Sequence, residues 1–167
     1  DITCFLCAGT PIQVPAPGAA AVTGIDFALT PGVRVSGMVP DEVSGDPLAN
    51  HSVYVYDQFG RMRADGRTDA TGAYTTGPGV APGSYYVRAA SSPTHLGEVY
   101  PDVPCLPSCD FSSGTLVNFV AAPVRGGPRL VTGINFALEP AGRISGTVTP
   151  IGGDDLRVEV YSEGGAL

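Results

Sequence analysis

The chain has 167 residues and a net charge of −7, and its nine basic residues are all Arg, with no Lys. An acidic chain without a basic stripe argues against nucleic acid as a partner, and no apolar run approaches the roughly 18 residues of a membrane-spanning helix. Gly 23 and Pro 16 are high, but a hydrophobic fraction of 43% exceeds what a disordered chain carries, so Gly and Pro read as turn residues between short strands.

In chain order, residues 1–31 read as the tail of one module. Cys4 and Cys7 open it, and Thr23-Gly-Ile-Asp-Phe-Ala-Leu29 closes it. In that closing stretch Ile25, Phe27 and Leu29 share one face, the pattern of a half-buried strand. Residues 32–140 read as one complete module. A first strand covers 33–39, with Val33, Val35, Gly37 and Val39 inward and Arg34 and Ser36 outward. A second covers 51–57, with Val53 and Val55 inward. Residues 58–67 are polar and suit either an edge strand or a loop. Asp69 and Gly72 mark a tight turn before a strand that begins at Tyr74. The next strand, 84–90, places Tyr85 and Val87 on one face and Tyr86 and Arg88 on the other. Residues 91–111 read as irregular and carry Cys105 and Cys109. Strands at 115–120 and 131–138 finish the module.

Residues 141–167 read as the head of a following module, because two segments recur. Val131-Thr-Gly-Ile-Asn-Phe-Ala-Leu138 repeats Val22-Thr-Gly-Ile-Asp-Phe-Ala-Leu29 at an offset of 109 residues, and Arg143-Ile-Ser-Gly-Thr147 repeats Arg34-Val-Ser-Gly-Met38 at the same offset. Val158-Glu-Val-Tyr161 likewise echoes Val53-Tyr-Val-Tyr56. A repeat at a fixed spacing is the signature of a tandem array. Several short strands per module, turn signals between them and no helical periodicity predict an all-β chain of Ig-like β-sandwich modules, one complete and two partial. A module of this size can bury its own core.

Thr68-Asp-Ala-Thr-Gly-Ala-Tyr74, followed by Pro82-Gly-Ser-Tyr-Tyr-Val87, resembles the carboxypeptidase regulatory-like modules, which are also similar to the B-type repeats of bacterial surface adhesins. Val35-Ser-Gly-Met-Val39 and Pro47-Leu-Ala-Asn50 ahead of Val53 fit the same pattern. The resemblance covers roughly residues 33–90. It implies a prealbumin-like sandwich in an extracellular or cell-surface bacterial protein, usually without catalysis, and its motifs specify a fold rather than a function. Many adhesin repeats of this kind carry a Lys–Asn isopeptide cross-link. This chain has no Lys, so any covalent reinforcement must come from its cysteines.

Cys4, Cys7, Cys105 and Cys109 fall at matching places, each pair shortly before a Gly-Thr step. One local disulfide per module is the expected state, and it points outside the cytoplasm. The alternative, one four-cysteine zinc site, would have to bridge two modules. Asp65, Asp69, Asp102, Asp110, Asp154 and Asp155 lack the order of a calcium loop, and turn formation accounts for Asp65-Gly66 and Asp69. His51 and His95 stand apart from any nucleophile elbow and read as solvated. With no nucleophile–base pair visible, the expectation is no enzyme and no cofactor. Tyr54, Tyr56 and Tyr86 share outward parity; a row of Tyr on a sheet can bind polysaccharide or be covered by a second layer. Asn50-His-Ser52 fits a glycosylation sequon. The chain opens on Asp1 with no leader segment, which reads as a mature fragment.

These features predict a structural role, as a stalk, adhesin segment or filament in which the tail of one chain completes the head of another by strand addition. The partners would be copies of itself or adjacent repeats. The alternative is a carbohydrate-binding or spacer module of a secreted hydrolase. Short seams such as Leu138-Glu-Pro-Ala-Gly142 should restrict rotation between modules.

Overall fold

The computed structural model describes residues 11–18, 20–26, 31–105, 109–120, 129–147, 149 and 159–161. Nine strands make up the described core: β1 (Val33–Met38), β2 (Ser52–Tyr56), β3 (Met62–Arg67), β4 (Ala73–Thr75), β5 (Gly83–Ala89), β6 (Glu98–Val99), β7 (Val103–Pro104), β8 (Val117–Phe119) and β9 (Arg129–Val131). They form an all-β sandwich. A small sheet has the order β4-β1-β9, and a large one has the order β3-β2-β5-β6-β7, with β8 also paired to β5.

The strands follow from alternation. Val33 and Val35 point inward from the first strand and Val39 from just beyond it, Val53 and Val55 from the second, and Tyr85, Val87 and Ala89 from the fifth, all buried. Between the sheets they meet Tyr74, Val117, Phe119, Ile134, Phe136 and Leu138. Burying each of the valines contributes roughly 1.5–3 kcal/mol. Tyr85 and Phe119 pack ring to ring at 4.7 Å. Phe136 lies within reach of Tyr74 and Tyr100, at 6.4 and 6.2 Å.

Two Asp side chains set the turns. Asp57 Oδ1 accepts the N–H groups of Phe59 and Arg61 at 2.9 and 3.0 Å, which folds the β2–β3 hairpin. Residues 62–67 are therefore an edge strand, with Ala64 inward, and Asp65-Gly66, read as a turn, lies inside it, paired with Tyr54 and Val53. Asp69 Oδ1 accepts from the backbone of Thr71 and Ala73, at 2.8 and 3.2 Å. Gly72, at φ +75, completes that turn and delivers Tyr74 to the core.

The structure departs from expectation in three places. Residues 98–104, read as irregular, form the β6–β7 hairpin. The final stretch pairs as a strand only through residue 131, then runs on beside β1 in an incomplete ladder. Residues 22–26 and 142–147, read as strands, form no strand and are exposed throughout. A half-buried strand needs a surface to be buried against, and among the described residues neither segment has one.

Candidate functional site

The seam where the repeated segment meets β1 is held by both backbone and side-chain bonds. β9 pairs with β1 in parallel, with Val131 opposite Val35. Beyond it, Ile134 N–H donates to Ser36 O at 3.2 Å, Phe136 N–H to Met38 O at 3.0 Å and Leu138 N–H to Pro40 O at 3.0 Å. The return bonds of a regular parallel ladder are replaced by side chains. Met38 N–H donates to Asn135 Oδ1 at 2.9 Å, and the Ile134 carbonyl accepts the Tyr74 hydroxyl at 2.7 Å. That substitution explains why strand pairing stops at 131 while the contact continues. Burial pushes the Tyr74 hydroxyl well above the usual phenol range, so it stays a donor. Gly37 is required here: a Cβ would run into the Ile134 carbonyl.

The chain leaving the seam is held from both sides. Glu42 N–H donates to Leu138 O at 3.0 Å, Leu96 N–H to Glu139 O at 2.9 Å and Ala141 N–H to Thr94 O at 2.8 Å. Over these bonds His95 Nε2 meets Asp41 Oδ2 at 2.9 Å. Asp41 Oδ1 accepts the N–H groups of Val43 and Ser44. The Ser44 N–H, then His95, holds the Asp41 carboxyl down at about 2. Thr94 Oγ1 lies 2.9 Å from His95 Nδ1, giving a hydroxyl–imidazole–carboxylate chain. Its hydroxyl belongs to the residue beside the imidazole, and its carboxylate already caps a turn. This arrangement braces the 94–96 loop against the departing strand.

Beside this grip lies a cavity of about 350 Å³ lined by Glu42, Glu98, Asp102 and Glu139 with Leu96 and Ala137. Glu98 is buried, and its Oε1 accepts the Ala137 N–H at 3.0 Å, satisfying a donor on the outer side of the segment that follows β9. Burial pushes the Glu98 carboxyl up to about 7 against the pull of that N–H, and Asp102 and Glu42 add to the rise.

Tyr54, Tyr56 and Tyr86 lie on the outer face of the large sheet, half-buried, with Tyr56 opposite Tyr86. The chain partly roofs them itself. Asp110 caps a 3-10 turn at Phe111–Ser113, and Phe111 stacks on Tyr56 at 4.3 Å. Tyr54 meets Tyr56 edge-on at 6.2 Å. The Cys105–Cys109 disulfide closes the loop just before that turn. A disulfide there leaves no four-thiolate zinc site, and Cys4 and Cys7 lie outside the described residues. Asp69 and Asp110 each spend Oδ1 on a turn, Asp154 and Asp155 lie outside the described residues, and no cluster of three metal-ligating side chains exists among the described residues.

Neither histidine is solvated. His51 is buried with Nε2 at 2.6 Å from Ala90 O, and burial lowers its pKa; His95 is drawn into the grip by Asp41. Neither partner is near in sequence, so no local signal marks them. Glu98 was also invisible, since its role depends on the hairpin that carries it. Asn50 of the sequon is exposed, at φ +58. Among the described residues no helix is long and apolar enough to cross a membrane.

No protein-family model matches the chain, and no curated protein does. Similar solved structures include the Bacillus anthracis TIE protein, at 12% identity and TM-score 0.42, covering 64% of this chain and 17% of that one. A proposed carbohydrate binding protein from Bacteroides uniformis aligns at 16% identity and TM-score 0.38, over 66% of this chain and 42% of its own. The major pilin subunit BcpA of Bacillus cereus aligns at 12% identity and TM-score 0.36, over 67% and 30%. The chain thus spans less than half the length of each.

Proposed function

We propose that this chain is a non-catalytic extracellular repeat module, a unit of a bacterial stalk, adhesin segment or filament, joined to its neighbours head to tail by strand complementation. One observation carries the reading. Both sides of the seam occur twice in the sequence, and the spare copies are exposed: Val22 is 46% accessible, Ile25 44% and Ile144 81%. Unpaired apolar edges of this kind are held in check by pairing. The Cys105–Cys109 disulfide suits an oxidising compartment, and the resemblance over residues 33–90 agrees with a surface module.

The test is negative-stain electron microscopy of the purified chain, with and without reductant. Regular fibres that lengthen with concentration are expected. Separate compact particles at every concentration would sink the assembly reading. Fibres that dissolve in reductant would add the disulfides to the assembly.

A second reading, polysaccharide binding, is favoured by the outward tyrosines. Phe111 already occupies one face of Tyr56, which leaves Tyr54 and Tyr86 as the rings to test. Retention on polysaccharide that disappears in Tyr54→Ala or Tyr86→Ala would support it; retention unchanged in both would remove it.

A further inference from the structure

We infer that residues 22–26 of one chain dock on residues 142–147 of a second copy in one parallel register, the register in which residues 131–135 lie on β1. The inference rests on the assembly reading above and fixes its geometry.

The internal seam is the template. Over residues 22–29 the spare copy differs from residues 131–138 only at Asp26, which replaces Asn135. Asn135 contributes a side-chain oxygen that accepts the Met38 N–H. An Asp carboxylate offers the same acceptor to Thr147 N–H. On the other side, Ile144, Ser145 and Gly146 replace Val35, Ser36 and Gly37. The glycine is the telling position. At Gly37 an added Cβ would collide with the companion strand, whereas at Gly146 it would meet nothing within 4 Å. The close-approach position is preserved, and among the described residues no companion lies against it.

The register follows. Val22 stands opposite Ile144 as Val131 stands opposite Val35, and Ile25 N–H donates to Ser145 O as Ile134 does to Ser36 O. A second copy is the occupant because of where the two segments leave the sandwich. One enters at residue 33 and the other departs beyond residue 141, at opposite ends of a parallel pair. Eight or nine residues of strand separate them, about 30 Å. Each chain therefore offers a donor at one end and an acceptor at the other, a heterologous contact that propagates.

Sedimentation across a concentration range tests this with Gly146→Val, whose added Cβ meets nothing within 4 Å among the described residues. The expected result is association weakened by about 10- to 100-fold with an unchanged melting temperature. Mixing Val22→Cys with Ile144→Cys chains should give an interchain disulfide between those positions, mapped by mass spectrometry, and the out-of-register Ser145→Cys partner should not. Assembly of Gly146→Val at wild-type concentrations, or cross-linking that ignores register, would overturn the inference while leaving the assembly reading intact. A wild-type chain that stays monomeric throughout would overturn both.

Discussion

Residues 22–26 and 131–135 are nearly the same peptide in two situations. Beside β1, Ile134 is 5% accessible and its N–H is bonded to Ser36. In the first copy, the equivalent Ile25 is 44% accessible. Local sequence is common to both, so propensity and patterning cannot account for the difference. What differs is a companion strand with a glycine at the crossing point. A strand is a relation between two segments, and half of that relation is not a strand.

The comparison can be broken most directly at the paired isoleucines. Ile134→Ala should cost about 2–5 kcal/mol, while Ile25→Ala in the monomer should stay within about 0.5 kcal/mol; urea denaturation of both variants measures the gap. Equal losses would mean that the first copy is packed after all. Next come the glycines. Gly37→Ala should destabilise by about 1–3 kcal/mol through backbone crowding, and Gly146→Ala should leave monomer melting unchanged, read by calorimetry at low concentration.

The smallest effect concerns what holds the second copy from outside. Glu98 has its folded pKa raised from 4.5 to about 7, so the folded state binds the proton more tightly than the unfolded one. Its contribution favours folding at low pH and is lost as pH rises from about 4.5 through about 7. Glu98→Gln keeps an oxygen for the Ala137 N–H and removes the charge. It should stabilise the protein at pH 8 by about 1–2 kcal/mol, allowing for solvent screening at a cavity wall, and flatten the profile between pH 5 and 7. A profile with the wild-type slope would show that another group titrates there.

Much of the sandwich was legible because its central strands alternate cleanly. Val33 and Val35, Val53 and Val55, and Tyr85 and Val87 all face inward as their parity requires, and Tyr54, Tyr56 and Tyr86 face outward. The Asp69–Gly72 turn and the Cys105–Cys109 bond were legible too, since both are local. The β6–β7 hairpin was not, because two-residue strands separated by Tyr100, Pro101 and Asp102 carry no period. Nor were His51, His95 and Glu98, whose burial comes from partners 39 or more residues away. The exposed copies failed in the opposite sense: their pattern is that of strands, but pattern alone supplies no neighbour.

The parallel course of β1 and residues 131–138 has a further consequence, for force. The chain enters the pair at residue 33 and leaves it beyond residue 141, so the two ends lie at opposite extremes of strands running the same way. Tension applied through those ends would slide one strand along the other instead of peeling them apart. The Ile134, Phe136 and Leu138 bonds would then be loaded together with the β9 pairing, and Glu42 and Ala141 would share the load at the exit. A unit strung this way would resist stretching by shear, the geometry in which many weak bonds must fail at once.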